Sequence, residues 1–396
     1  MHDTPCPLPE TAHRVRVLSR IADLPPETWD ACANPASSPH DPFMSHAFLR
    51  CLEESGSASA RAGWSPRHLA LEAGERVLAV MPLYLKSHSM GEYVFDHSFA
   101  DAYARAGGRY YPKLQTAAPF TPVTGRRILA RDGVDAAIAE AALTAAARGL
   151  AEAEGASSHH LTFLTRGEWE RLGDLGYLRR TGVQFHWRNE GYERFDDFLE
   201  RFASRKRKAV KKERRDALAG GLTVEWLTGA AITEAHWDAF FAFYMDTGGR
   251  KWGRPYLNRR FFSLAGAAMG ERLLLILAKD GARPIAGALN VIGGDTLFGR
   301  YWGCVEERPF LHFELCYHQA IDYAIAHGLN RVEAGAQGEH KLARGYLPET
   351  TYSAHWFAHP GLSAAVERYL ERERPAVEEE RRLLLEQSPF KRDEPG

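Results

Sequence analysis

A twelve-residue segment recurs in this chain with six of its residues unchanged. Positions 176–187 read GYLRRTGVQFHW and positions 345–356 read GYLPETTYSAHW, so Gly, Tyr, Leu, Thr, His and Trp recur without a gap at an offset of 169 (345 − 176). A repeat constrains the fold more than composition does, because both copies must form the same supersecondary unit. A second anchor lies near the start of each copy, where Trp29-Asp30-Ala31 matches Trp237-Asp238-Ala239. There the offset is 208 (237 − 29), so the first copy carries 39 extra residues between the anchors (208 − 169).

Elements between the anchors follow one order. Each copy opens on an alternating strand, Arg14–Leu18 or Leu222–Leu227, and continues into a helix around the Trp-Asp-Ala triplet. A strand–turn–strand unit follows: His68–Leu71 and Val77–Leu85 around Ala73-Gly74, then Leu273–Ala278 and Pro284–Ile292 around Asp280-Gly281. Asp-Gly between apolar runs is hairpin chemistry. The helices Ala136–Glu154 and Glu314–His327 each end at a glycine and lead into strands His160–Leu164 and Arg331–Glu333, as a left-handed C-terminal cap requires. The order predicts an α/β (α+β) fold: two tandem copies, each a mixed sheet flanked by helices, with antiparallel hairpins on one side and a parallel crossover near the middle. The expected boundaries are 14–195 for the first copy, 196–219 for a connecting helix, 220–360 for the second copy and 361–396 for a charged helical tail. Residues 95–127 hold the first copy's insertion.

The connecting segment concentrates charge. Ser204–Arg215 holds eight basic residues and one acid, with no Pro or Gly before Gly220-Gly221, and Phe198–Leu218 reads as one helix with a glycine stop. The whole chain is balanced, 50 Lys+Arg against 51 Asp+Glu, which argues against a general nucleic-acid coat but not against a local patch. Arg205, Lys206, Lys208 and Lys212 are therefore expected to hold a polyanion, with a solvated interdomain strut as the plain alternative. Five scattered cysteines without a CxxC pair fit a reducing compartment. The opening Met1-His2-Asp3 carries no basic or apolar leader, and the apolar run at Leu273–Ala278 is far short of the ~20 residues that span a bilayer. A cytoplasmic protein without a membrane span is expected.

No GxxxxGK[ST], GxGxxG or GxSxG sequence occurs, which removes the P-loop, the dinucleotide fingerprint and the nucleophile elbow. No metal site is expected: His355 and His359 stand four apart on a strand and its exit, where that spacing does not converge. The informative segment is Glu333–Gly345, EAGAQGEHKLARG, at the carboxyl end of a central strand, where open α/β sheets bind ligands. The first copy has Thr165-Arg166-Gly167-Glu168-Trp169-Glu170 there. Gly-Glu persists and suits a helix start, whereas His340 and Lys341 are unique to the second copy and are the better functional candidates. In the insertion, Phe95–Tyr103, Tyr110–Leu114 and Pro119–Arg127 interleave aromatics with Asp, His, Lys and Arg, which suits either a substrate-binding wall or a structural flap.

GAQGEHK with ARGYLP, YYPKL and PFTPVTGRR resembles the Fem-like branch of predicted N-acyltransferases, within the GCN5-related N-acetyltransferase (GNAT) superfamily, over about residues 14–360. The resemblance implies tandem GNAT-like domains in a bacterial protein. It also implies transfer of an aminoacyl group from aminoacyl-tRNA to the amine of a peptidoglycan precursor, with a charged helical element for which Arg205–Arg215 is the counterpart. One departure is clear. Acetyl-CoA users carry a Q/R-x-x-G-x-G/A turn whose amides hold pyrophosphate, but the matching turn here, Val305–His312, has no glycine, and Pro309 lacks a donor.

The expected activity is N-acyl transfer from aminoacyl-tRNA or acyl-CoA, as co-substrate rather than bound cofactor, to a small-molecule or peptide amine. Such a site needs a base near the amine and cations or donors for the oxyanion and leaving group. Glu339 or His340 is the expected base. Lys341 and Arg344 are expected to bind a phosphate or carboxylate, with Gln337 beside them, and Lys113, Asp101 and Tyr111 to contact the acceptor. The alternative is a non-catalytic module that binds tRNA or another polyanion on a duplicated scaffold.

Overall fold

The computed structural model describes residues 13–252, 255–335 and 338–391. The first copy forms strands β1 (His13–Leu18), β2 (Trp64–Pro66), β3 (His68–Ala73), β4 (Arg76–Met81), β5 (Tyr84–Lys86), β6 (Lys113–Thr116), β7 (Leu129–Ala130), β8 (Ser158–Leu164) and β9 (Leu178–Arg188). Its helices are α1 (Pro26–Ala33), α2 (His46–Glu54), α3 (His97–Arg105), α4 (Ala136–Ala153) and α5 (Arg166–Asp174). Two connecting helices follow, α6 (Phe195–Glu200) and α7 (Ser204–Ala217). The second copy adds β10 (Thr223–Thr228), β11 (Leu273–Asp280), β12 (Arg283–Ile292), β13 (Thr296–Cys304), β14 (Arg331–Glu333) and β15 (Leu347–Phe357). Its helices are α8 (Glu234–Trp252), α9 (Arg259–Met269), α10 (Leu311–Phe313) and α11 (Gln319–Ala326), with a π turn at Glu314–His318 between the last two. The tail forms α12 (Pro360–Glu386).

Both hairpins form where the turn chemistry places them, and the mixed sheets are as expected. In the second copy β10 to β13 run antiparallel and β14 joins β13 in parallel. In the first copy the strand matching β12 is broken. Pro82 separates β4 from β5, and a proline cannot donate to a ladder. The first copy's strands therefore divide between a four-stranded sheet, β1-β3-β4-β7, and the end of an eleven-stranded one, β10-β11-β12-β13-β14-β9-β15-β8-β6-β5-β2.

That long sheet exists because the copies exchange their last strands. β9 of the first copy pairs with β14 and β15, while β15 of the second pairs with β9 and β8. The repeated twelve-residue segments thus lie antiparallel to each other. Gly182 faces Thr351, the residue that the offset of 169 equates with it, so a pseudo-twofold axis passes between them. A Cβ at 182 would stand 3.0 Å from the Thr351 hydroxyl, and the glycine permits this close approach. A shared apolar core reinforces the exchange, joining Trp29, Phe43, Phe48 and Leu49 of the first copy to Trp237, Phe261 and Phe262 of the second.

The connecting segment departs from expectation. It is two helices rather than one, because Phe202 is buried and forms a bridge with Phe390, and the Ala203 N–H donates to Pro389 O (3.0 Å). The tail fills the break with backbone and aromatic contacts that local sequence does not announce.

Candidate functional site

β13 and β14 are paired over only three residues, Thr296↔Arg331 to Phe298↔Glu333. Beyond them β13 continues to Cys304, while the other chain turns away through Gly335 and Gly338 into a 3-10 turn, Glu339–Arg344. The two strands therefore enclose a gap at the carboxyl end of the sheet. Gly338 sets the entry to the turn, with φ +120, and a Cβ there would lie 2.5 Å from the His340 ring. Gln337 lies outside the described residues.

The four other residues expected in this segment have different destinations. Lys341 is buried and its Nζ donates to Gly335 O (2.9 Å); burial pushes its amine down to about 7. His340 is exposed, its Nε2 is 2.8 Å from the Tyr317 hydroxyl, and its ring packs on Phe313. Glu339 is exposed at the start of the turn. Arg344 points inward, away from any phosphate at the surface. Its guanidinium donates to both oxygens of Glu213 on α7 (2.8 and 2.5 Å) and to His340 O (2.6 Å), and it stacks 3.4 Å over Phe313. The expected anion contact is replaced by a latch, because the one acid of the basic segment stands opposite it.

Around the gap, Trp302, His312, Phe313 and Tyr317 form an aromatic wall against His340. At the far end of β13 a cleft of about 270 Å³ opens between Thr247, Trp302, Cys304, Arg308 and His312. The turn there is Val305–His312. The Val305 N–H is engaged with Ile285 O, Pro309 has none, and Glu306 pairs with Arg283 and Arg308.

On the seam face of the sheet, Glu333 ends β14 beside His186 of β9. It is 2% exposed, and neither carboxylate oxygen has a hydrogen-bond donor. Arg300 of β13 and Gln184 of β9 reach from the same sheet to the insertion, donating to Phe120 O (2.9 Å) and Pro122 O (2.8 Å). Only the charged residue inside the buried run Arg331-Val332-Glu333 hinted at this cluster in the sequence.

The insertion packs as structure. Lys113 is fully buried and its Nζ donates to Ser89 (2.9 Å), Glu92 (2.6 Å) and Asp96 (2.5 Å). Burial opposes its charge, but the two carboxylates outweigh it and hold the amine above its usual range. With three donors engaged, Lys113 offers no contact to an acceptor. Tyr111 is half-buried and bonds Ser89 (2.7 Å), while Asp101 sits exposed on α3; the structure does not join Asp101 to the buried cluster. The segment also closes the first copy's own gap. Beyond the β6–β8 pairing, the Gly125 N–H donates to Phe163 O (3.0 Å) and Arg127 Nε to Thr162 O (2.9 Å). Glu168, the counterpart in the conserved-looking Gly-Glu pair, locks this closure by accepting the Arg127 and Ile128 N–H groups. In the second copy the β13–β14 pairing stops at Phe298↔Glu333.

On α7, Arg205, Lys206, Lys208 and Lys212 are exposed, whereas Val210 and Ala217 are buried and Arg214 pairs with Glu314 and Asp322. The helix thus turns a cationic face outward. Among the described residues no helix is long and apolar enough to cross a membrane.

The FemAB-like family, described as peptidoglycan biosynthesis/recognition, matches residues 20–392. The chain belongs to the FemAB-like family. The assignment to the Fem-like branch, and with it to the acyltransferases, agrees with this membership. No curated protein sequence matches the chain. Among solved structures, FemX is similar with a TM-score of 0.54 at 15% identity, over 87% of this chain and 98% of that one. The C-terminal domain of a putative lysylphosphatidylglycerol synthetase from Agrobacterium fabrum gives 0.52 at 10% identity, over 86% and 95%. L-PGS from Bacillus licheniformis gives 0.50 at 10%, over 84% and 98%. These likenesses span both copies of this FemAB-like chain and show that it shares their fold.

Proposed function

We propose that this FemAB-like protein is an N-acyltransferase of the bacterial cytoplasm. It moves an aminoacyl or acyl group from an activated ester or thioester to the amine of a peptidoglycan-precursor-like acceptor. The observation that carries this reading is the early parting of β13 and β14, which are paired over three residues, with Lys341 buried and bonded to Gly335 O two residues beyond the last pair. A gap of this kind admits an extended acyl chain between two strand edges, and a buried cation beside it stabilises negative charge developing on the carbonyl oxygen or leaving group. With its amine near 7, Lys341 is also suited to give a proton to the departing oxygen or sulfur. His340 and Glu339, on the exposed rim, meet the acceptor as it enters.

Aminoacyl-tRNA is favoured over acyl-CoA as donor. The turn at Val305–Phe310 has no glycine and includes Pro309, which has no N–H to offer a pyrophosphate, and the cationic face of α7 is latched to the site turn through Glu213 and Arg344. Incubating the protein with a panel of acyl-CoA esters and charged tRNAs, with amine acceptors, and detecting amide products by mass spectrometry tests this reading. Transfer from aminoacyl-tRNA is the expected result; transfer from acetyl-CoA alone reverses the donor preference, and no transfer from any donor refutes the enzyme. The exposed cations of α7 also support the second reading, a polyanion-binding module without chemistry, for which tRNA retention without transfer is the signature.

A further inference from the structure

Burial pushes two carboxyls of this chain, Glu168 and Glu333, up to about 7. Glu168 has a structural partner for each oxygen: it accepts the Arg127 N–H (3.0 and 3.1 Å) and the Ile128 N–H (2.7 Å). Glu333 has none. Among the buried carboxylate oxygens of the described residues, Glu92 and Asp96 each leave one without a hydrogen bond, but Glu333 leaves both. A buried acceptor without a donor costs about 1–3 kcal/mol, more when charged, so such a group calls for a reason to be there.

Its surroundings do not supply one. From its own strand Arg331 Nε stands 3.4 Å from Oε1, and from β9 His186 Nε2 stands 3.9 Å from Oε2, both beyond the 2.7–2.9 Å of a charge-assisted bond. His186 is held neutral, pushed down to about 3 by burial and by the charges of Arg331 and Arg188. Arg300 of β13, with Asp41 and Arg127 of the first copy, completes the charged groups around the carboxyl. Arg300 gives one nitrogen to Phe120 O, while its Nε has no acceptor. Glu333 also occupies the point where β13 and β14 part. Lys341 Nζ is bonded to the carbonyl of Gly335, two residues farther along.

We propose that Glu333 is the residue that receives the acceptor amine, its carboxylate binding the primary ammonium and taking the proton whose loss frees the nitrogen lone pair. This assignment rests on the acyltransferase reading. The amine nitrogen then bonds to the acyl carbon, and the carbon–oxygen or carbon–sulfur bond to the carrier breaks. Lys341 protonates the leaving atom and regains a proton from the new amide nitrogen, and the proton on Glu333 passes to solvent. Two buried carboxyls are thereby separated by environment: the one with backbone donors holds the first copy closed, and the one without them serves the gap.

The test uses the full chain with 13C-carboxyl-labelled glutamate, followed by NMR. L-alaninamide serves as the primary-ammonium probe, and Glu333→Gln identifies the signal. Saturating probe is expected to lower the titration midpoint of the Glu333 carboxyl by a unit or more, and Glu333→Gln is expected to bind the probe at least tenfold more weakly. In acyl transfer, Glu333→Gln should lower kcat at least ~10²-fold and remove the acid limb of the pH profile, with Glu333→Asp retaining the limb. A carboxyl signal that ignores the probe, or equal probe affinity in Glu333→Gln, overturns the assignment. The carboxyl response of the unsubstituted protein decides the matter if the glutamine variant folds poorly. The probe titration involves no donor, so failure of transfer with every donor counts against the enzyme reading, whereas loss of the carboxyl response counts against Glu333.

Discussion

Glu213→Ala tests whether the basic helix and the site turn form one mechanical unit. Glu213 accepts two bonds from Arg344 and lies 2.9 Å from His318 Nε2. The side chains of the ion pair are only 13% and 9% exposed, so this is not a surface salt bridge. Its removal leaves a buried guanidinium with only His340 O and the Phe313 ring, which is expected to cost about 3–5 kcal/mol. Replacing both partners with apolar groups, Glu213→Leu with Arg344→Met, should cost less than either single change, because such swaps are often near neutral. Urea unfolding at pH 7 of the four proteins measures the coupling, expected at about 2 kcal/mol or more. Burial opposes the Glu213 charge, but its bonds to His318 and Arg344 outweigh this and hold the carboxyl below its ordinary range. Its stabilisation is therefore complete above the unfolded carboxyl range and is lost as pH falls through the folded value. His318, depressed by burial, acts in the same direction, so acid destabilisation begins below about pH 6.5. A single substitution costing under about 1 kcal/mol, or strict additivity, would refute the latch.

Three further outcomes are expected. Lys341→Met should abolish transfer yet stabilise the fold at neutral pH: its folded amine titrates near 7, below the unfolded value of about 10.4, so the native state is penalised below pH ~10. Thermal melts that show no gain at pH 7, or a gain that persists at pH 11, contradict this. Gly182→Val places a branched side chain where even a Cβ meets the Thr351 hydroxyl at 3.0 Å, and overpacking of this kind should cost about 1–3 kcal/mol; an unchanged urea midpoint argues against close approach at the axis. Substituting Arg205, Lys206, Lys208 and Lys212 together by Gln should leave stability unchanged and lower the salt dependence of tRNA binding by a slope of about 3–4; filter binding with an unaltered slope removes α7 from the contact.

The repeat, the glycine stops at Gly155 and Gly328, both hairpins and the strand ending at Glu333 were legible in the sequence, since each depends on local periodicity and turn chemistry. The same holds for the cationic face of α7, which needs only charge at helical spacing. The break of the connecting helix at Phe202 was not legible. What residues do at a distance was not legible. Lys113 and Arg344 read as ligand-binding cations, and only tertiary structure set Lys113 between Glu92 and Asp96 and Arg344 against Glu213. A side chain's partner is chosen by which distant segment packs over it, and a sequence pattern does not encode that choice. Strand exchange is the clearest case: the twelve-residue repeat announced two similar strands, but nothing local says that each completes the other copy's sheet. That pairing leaves Glu333 buried in the seam without a donor.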